Sequence, residues 1–271
     1  MEIFIAYFLF LLIGLTLGLI GSGGSILGVP VLVYLFHYPA DIATGYSLFI
    51  VGISSLIGAF SFLKKGEINV EALWQFAIPS LILVFCVRKF LIPVLPQVFF
   101  YIGDFEATKQ VVIMCVFAIL ILISSFSMIR KRNTDKKTDT MWEEFSKSPL
   151  RLPFVIFLGA VTGALTGFIG AGGGFIIIPV LIFFLRVPMK KAVGTSLSII
   201  AVNSLIGFTG NLGHTEFDWK FLLIVSGLCI AGILLGNMIS VRLKAVKLRA
   251  AFGWFTFFVG IFVIVKELFL K

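Results

Sequence analysis

Two clusters of glycine interrupt otherwise apolar sequence: Gly18-Leu19-Ile20-Gly21-Ser22-Gly23-Gly24-Ser25 and Gly167-Phe168-Ile169-Gly170-Ala171-Gly172-Gly173-Gly174. Each is followed by Pro-Val-Leu, at Pro30-Val31-Leu32 and at Pro179-Val180-Leu181. Residues with no side chain, or only a hydroxymethyl, let successive main-chain N–H groups converge on one point. A helix starting just beyond adds its own unbonded amides and the positive end of its dipole, and together these are chemistry for holding an anion. One such helix end is worth about 0.3–1 kcal/mol to an anion at a surface and up to about 2 kcal/mol when partly buried. Two facing each other would hold a small oxyanion weakly enough to release it. The candidate substrate-binding residues are therefore Ser22, Gly23, Gly24 and Ser25 in one cluster and Ala171, Gly172, Gly173 and Gly174 in the other. The same glycines also suit close helix packing, and the sequence leaves both uses open. No Gly-Lys-Ser/Thr follows either cluster and no strand-helix alternation surrounds them, which excludes a P-loop or a dinucleotide fold.

A second set of polar residues lies on the next apolar run of each copy. Ser47, Ser54, Ser55 and Gly58 in the first, and Thr195, Ser196, Asn203, Ser204, Gly207 and Asn211 in the second, recur at helical spacings and make one small, polar face. That face serves either as a hydroxyl and amide lining for a substrate path or as interhelical hydrogen bonding, measured cases of which average only about 0.6 kcal/mol. Ser47, Thr195, Ser196 and Asn203 are the members best placed to orient a bound anion. Glu67 and Glu216 stand at matched places just after a run and are candidates for gating or proton coupling, or else solvated loop carboxylates. Arg88 and Lys89 are the ionisable residues nearest to membrane depth, with snorkelling toward an interface as the expected outcome. Nothing pairs two carboxylates, a Ser with a His, or a group of metal ligands, so the expectation is a protein without cofactor or metal that is not an enzyme.

The elements that position these residues come from a duplication. The glycine cluster and its proline return 149 residues on, and the same offset pairs Gly45 with Gly194, Ser47-Leu48 with Ser196-Leu197, Ser55-Leu56-Ile57-Gly58 with Ser204-Leu205-Ile206-Gly207, and Glu67 with Glu216. The chain is 59% hydrophobic and 13% charged, with a mean hydropathy of +1.12, more apolar surface than a soluble core can hide. Long apolar runs at about 3–20, 42–63, 73–95, 107–130, 152–169, 192–212, 220–241 and 249–269 predict about eight transmembrane helices. Two shorter runs at about 26–36 and 174–185 predict half-helices. The expected fold is thus an all-α, polytopic membrane protein in three parts: a first repeat over 1–130, a linker over 131–151 and a second repeat over 152–271.

The net charge of +9 comes from Lys and Arg in short loops without the aromatic interleaving of a nucleic-acid surface, so the partner is the lipid bilayer rather than nucleic acid. The linker Arg130-Lys131-Arg132 onward is the richest in basic residues and is expected on the cytoplasmic side. Basic loops swap sides between the two copies, and with each half-helix counted as a partial return the halves are expected to be inverted. The three cysteines, Cys86, Cys115 and Cys229, stand singly in apolar runs and read as packing residues.

The motifs Gly167 to Pro179 with Val180-Leu181, Ala192-Val193-Gly194-Thr195-Ser196-Leu197, and Gly232 to Gly236, with first-half copies of the first two, resemble the sulfite exporter TauE/SafE family, also called the toluene sulfonate uptake permease family. The resemblance covers nearly the whole chain. It implies a multi-pass permease of the cell inner membrane for a small sulfur-containing anion such as sulfite, a sulfonate or sulfoacetate. The expected mechanism is secondary transport by alternating access, with H⁺ or Na⁺ as a possible coupling ion. A passive anion channel and a non-transporting scaffold that hands substrate to a partner are the rival readings. In the first half Tyr46 stands in place of the threonine of Gly-Thr-Ser, and Ser25 in place of the third glycine.

Overall fold

A computed structural model describes residues 2–21, 23–102, 105–129, 151–183, 185, 187–212, 217–240 and 245–269. The first half runs α1 (Glu2–Ile20), a 3-10 turn (Gly23–Leu27), α2 (Gly28–Tyr34), α3 (Ala40–Lys64) and α4 (Val70–Cys86). A π-helical turn (Val87–Leu91) and a last short helix, α5 (Ile92–Val94), prolong α4, and α6 (Lys109–Ile129) completes the half. The second half runs α7 (Arg151–Ile169), α8 (Gly174–Phe183), α9 (Met189–Thr209), α10 (Trp219–Ser240) and α11 (Ala245–Phe269).

The glycine clusters are where the chain turns back. Gly21 N–H donates to Leu17 O at 2.7 Å and Gly170 N–H to Thr166 O at 2.8 Å, closing α1 and α7. Both glycines then take a positive φ, +83° and +75°, a left-handed conformation that reverses the chain at no steric cost only without a Cβ. Beyond the turn, Gly24 lies on the main chain of Ile13 and Leu17, and Gly173 on Thr162 and Thr166, so α2 and α8 fold back along the helices that precede them. With 7 and 10 residues, α2 and α8 extend only about 10–15 Å at 1.5 Å per residue, too little to cross a bilayer.

Among the described residues, six helical segments are both long and apolar enough to cross a membrane: Ala40–Lys64, Val70–Val94, Lys109–Phe126, Arg151–Ile169, Lys190–Thr209 and Trp219–Ile239. Helices α1 and α11, of 19 and 25 residues, pack alongside them. Leu56, Phe60, Leu63, Trp74, Ile82, Ile123 and Phe126 are exposed, whereas Ser47, Ser54, Ser55, Ser196, Asn203 and Ser204 are fully buried. Apolar outside and hydroxyl-rich inside is the distribution that hydrocarbon solvent demands.

Packing follows the duplication residue by residue. Helix α1 pairs with α10, α7 with α4, α3 with α9, and α6 with α11. Gly14 and Gly18 press on the main chain of Cys229 and Ile233; at the equivalent positions, Gly163 and Gly167 press on Ser80 and Val84. These contacts advance together along both chains, so α1 runs parallel to α10 and α7 parallel to α4. Helices α3 and α9 run antiparallel, for Gly45 lies beside Asn211, Gly52 beside Leu205, Gly58 beside Leu197, and Phe62 beside Gly194.

An all-helical chain was the expectation, and the structure adds a β-hairpin, β1 (Val98–Ile102) antiparallel to β2 (Phe105–Thr108). The run Val98-Phe99-Phe100-Tyr101-Ile102 is aromatic and β-branched throughout, and it is too short to compete as a membrane helix. The hairpin lengthens the first half, which explains why Lys109 and Ala245, the starts of α6 and α11, no longer obey the 149-residue offset. The linker expected at 131–151 lies outside the described residues apart from Arg151, which opens α7.

Candidate functional site

The two glycine clusters converge. The turn Gly23–Leu27 touches α8, and Gly172 sits where α3 and α9 cross. A Cβ on Gly172 would lie 3.0 Å from both Val51 of α3 and Ile200 of α9, two residues that are themselves equivalent by the duplication, and 3.1 Å from Ser204 Oγ. The second cluster therefore lies at the α3–α9 crossing, between two residues that the duplication makes equivalent. Its conformation is held by three left-handed glycines, Gly170, Gly172 and Gly173 (φ +75°, +68° and +67°).

Of the residues expected to bind substrate, Ser25, Ala171, Ser47, Thr195, Ser196 and Asn203 are all fully buried. Gly24 and Gly173 are closed in by the preceding helices α1 and α7, Gly174 is buried at the start of α8, and Gly23 opens the 3-10 turn. Ser22 and Glu216 lie outside the described residues. Glu67 is half-buried just past α3, with its carbonyl against Gly194 of the other half.

The hydroxyls divide into two groups. Thr195 Oγ1 donates to Lys191 O and accepts the main-chain N–H of Asn69 at 2.9 Å, and Ser196 Oγ donates its one proton to Val193 O at 2.9 Å, with Gly21 O as a longer, second acceptor at 3.4 Å. These two tie elements together. Ser47 Oγ, Ser55 Oγ, Thr166 Oγ1, Ser204 Oγ and Asn203 Oδ1 are buried without a hydrogen-bond partner among the described residues. Asn203 Nδ2 donates to Ser80 Oγ at 2.6 Å. Several unpaired acceptors and hydroxyls around one helix crossing form a polar interior with hydrogen-bonding capacity to spare.

Arg88 departs from the expectation most sharply. Lys89 is exposed and lies over the rings of Phe85 and Phe90. Arg88 is instead wholly buried. The π-helical turn that contains it rotates its side chain inward, the kind of local bulge often found at functional positions. Nη1 donates to Thr44 Oγ1 at 2.9 Å, and Thr44 Oγ1 donates in turn to Asp41 O at 2.8 Å. Nη2 faces Gly170, where an added Cβ would meet it at 2.7 Å and would also collide with Thr44. Asp41 is engaged elsewhere, by Lys109 Nζ at 3.3 Å. No spacing rule singles out Arg88; the one available signal was that a basic residue inside an apolar run is costly unless it has work to do.

A model of the sulfite exporter TauE/SafE family matches residues 6–263. The chain belongs to the sulfite exporter TauE/SafE family. A probable membrane transporter protein of Xylella fastidiosa (strain Temecula1 / ATCC 700964) is 30% identical over 259 residues, spanning 93% of this chain and 91% of its own length. A probable membrane transporter protein of Methanocaldococcus jannaschii is 29% identical over 221 residues, spanning 77% of this chain and 73% of its own length. Another of Bacillus subtilis (strain 168) is 26% identical over 243 residues, spanning 89% and 91%. No solved structure matches the chain. As a TauE/SafE member with these relatives, the protein is a multi-pass membrane transporter.

Proposed function

We propose that this TauE/SafE protein is a secondary transporter that carries a small sulfur-containing anion, of the sulfite, sulfonate or sulfoacetate type, across the cytoplasmic membrane. The observation that carries the reading is that the two interrupted helices touch and that the second of them lies at the α3–α9 crossing, where Gly172 is against Val51, Ile200 and Ser204. Non-helical backbone at membrane depth is tolerated where it lines a cavity, and paired broken helices at a repeat interface are the usual seat of substrate in such folds. The family's exporter name supplies the anion class.

The two halves are inverted in the bilayer in this proposal. Supporting it, the equivalent helices α3 and α9 run antiparallel, while α1 runs parallel to α10 and α7 to α4. Alternating access then comes from one half rocking against the other about the crossing.

Flux into proteoliposomes tests the proposal, with sulfite, methanesulfonate, sulfate and chloride offered in turn, with and without a pH gradient. Saturable uptake selective for a sulfur oxyanion is the expected result, and its acceleration by the gradient would identify H⁺ as the coupling ion. Gly172→Leu should abolish flux while the protein still inserts, because the side chain has no space at the crossing and the backbone there is left-handed. Unaltered flux in a correctly inserted Gly172→Leu protein would sink the proposal.

A further inference from the structure

We propose that Arg88 is the substrate-anchoring residue of this transporter and that it takes an oxyanion side-on, through two oxygens of one sulfonate-like or sulfite-like group. This rests on the transport reading above and adds to it the residue and geometry that select the anion. Burying a charged guanidinium in a membrane protein is costly unless every donor is matched, since an unpaired charge in a low-dielectric interior loses its hydration with no return. Arg88 is fully buried, and among the described residues its Nε and Nη2 atoms have no hydrogen-bond partner.

Which nitrogens are open decides the chemistry. Nη1, on the edge next to Cδ, gives one N–H to Thr44 Oγ1 at 2.9 Å. Nε and Nη2 are the nitrogens without a partner among the described residues, and the Nε–H and one N–H of Nη2 lie side by side on the opposite edge of the planar guanidinium. That edge is a fork with two parallel donors, which matches two oxygens on one carbon, sulfur or phosphorus atom and matches a spherical halide poorly. Thr44 fixes the rotation of the plane, and Gly170, by lacking a Cβ, lets Nη2 reach the second glycine cluster, where main-chain amides can meet the remaining oxygen. Asp41 is held by Lys109 at 3.3 Å, so the nearest carboxylate is not on the fork.

Among the described residues the site occurs once. By the duplication Arg88 corresponds to Asn237, and Thr44 to Val193, which packs on Gly21 as Thr44 packs on Gly170. At these equivalent positions the first glycine cluster has neither the cation nor the hydroxyl that orients it. One anion per chain, seated on the second cluster, follows from that asymmetry.

Titration calorimetry on the purified full-length protein tests this, with methanesulfonate, sulfite and chloride as probes. Arg88→Gln should weaken methanesulfonate binding about 100-fold, and Arg88→Lys, which keeps the charge and loses the fork, about tenfold, with most of the preference for methanesulfonate over chloride lost. If both variants misfold, Thr44→Val, which keeps the side-chain volume and releases Nη1, should cost about tenfold in methanesulfonate affinity. Wild-type affinity and selectivity in Arg88→Lys, or unchanged affinity in Thr44→Val, would overturn the assignment of Arg88 while leaving the transport proposal standing. Wild-type protein that neither binds nor moves any of the three anions would overturn both.

Discussion

The hydroxyl of Tyr46 accepts the main-chain N–H of Asp218 at 2.7 Å. Asp218 in turn caps α10, its Oδ1 accepting Phe221 N–H at 3.1 Å. At the equivalent positions of the other half, Thr195 accepts the N–H of Asn69 at 2.9 Å, and Asn69 Oδ1 caps α4 by accepting Ala72 N–H at 3.0 Å. A tyrosine and a threonine thus perform one task in the two halves, each reaching from its own long helix to the start of a helix in the other half. Tyr46→Phe and Thr195→Val should each remove about 1 kcal/mol of stability, seen as a lower melting temperature in detergent, and leave anion affinity within about twofold. A large loss of affinity with unchanged melting would place Thr195 on the substrate instead.

The duplication, the turn-back at each glycine cluster and the buried polar face were legible in the sequence because each rests on local pattern: glycines where φ must be positive, hydroxyls at helical spacing, apolar length against bilayer thickness. The partners were not. Thr195 and Ser196 read as substrate ligands by their place in a polar face, whereas their hydroxyls close contacts to Asn69 and Gly21, distant in sequence. Arg88 read as an interface residue because periodicity cannot foresee the π-helical turn that rotates it inward. The hairpin at 98–108 was missed because its two strands are shorter than any window that detects membrane helices.

Glycine packing between the halves supplies a second prediction. Gly163 stands on the main chain of Ser80 so closely that no Cβ fits, and Gly14 stands likewise on Cys229. Small residues at these crossings let backbones approach, and dispersion between backbones does the work that water does in soluble proteins. Gly163→Leu and Gly14→Leu should each cost about 1–3 kcal/mol or prevent assembly, by overpacking at an unyielding backbone. The readout is the monodisperse fraction in size-exclusion chromatography. Gly227→Leu is the control, since nothing lies within 4 Å of the position its Cβ would occupy.

Lys109 opens α6 nearly buried and pairs with Asp41 at 3.3 Å, with side-chain exposures of 8% and 32%. Removing the carboxylate leaves a poorly hydrated ammonium without its counter-ion. Asp41→Asn should therefore lower the melting temperature more than Lys109→Met, which removes the charge that needs a partner. The double variant Asp41→Asn/Lys109→Met should recover most of the loss from Asp41→Asn, and a purely additive result in that cycle would show that the pair carries no coupling.

Asn203 and Ser80 distinguish a lining role from a structural one. Asn203 Nδ2 donates to Ser80 Oγ at 2.6 Å and joins α9 to α4, while Asn203 Oδ1 is buried without a partner among the described residues. The equivalent of Asn203 is Ser54, whose hydroxyl donates back to Ile50 O in its own helix and lies within hydrogen-bond reach of the Cys229 thiol, the equivalent of Ser80, so the other half has no amide in this link. If the amide serves only as a cross-link, Asn203→Leu and Ser80→Ala should be equally mild. With the amide also facing the substrate path, Asn203→Leu should raise KM for sulfite about tenfold, whereas Ser80→Ala, which deletes one hydroxyl and keeps the amide, should change it less than about threefold. Initial-rate uptake at graded sulfite in proteoliposomes measures both, and equal KM values in the two variants would return Asn203 to a packing role.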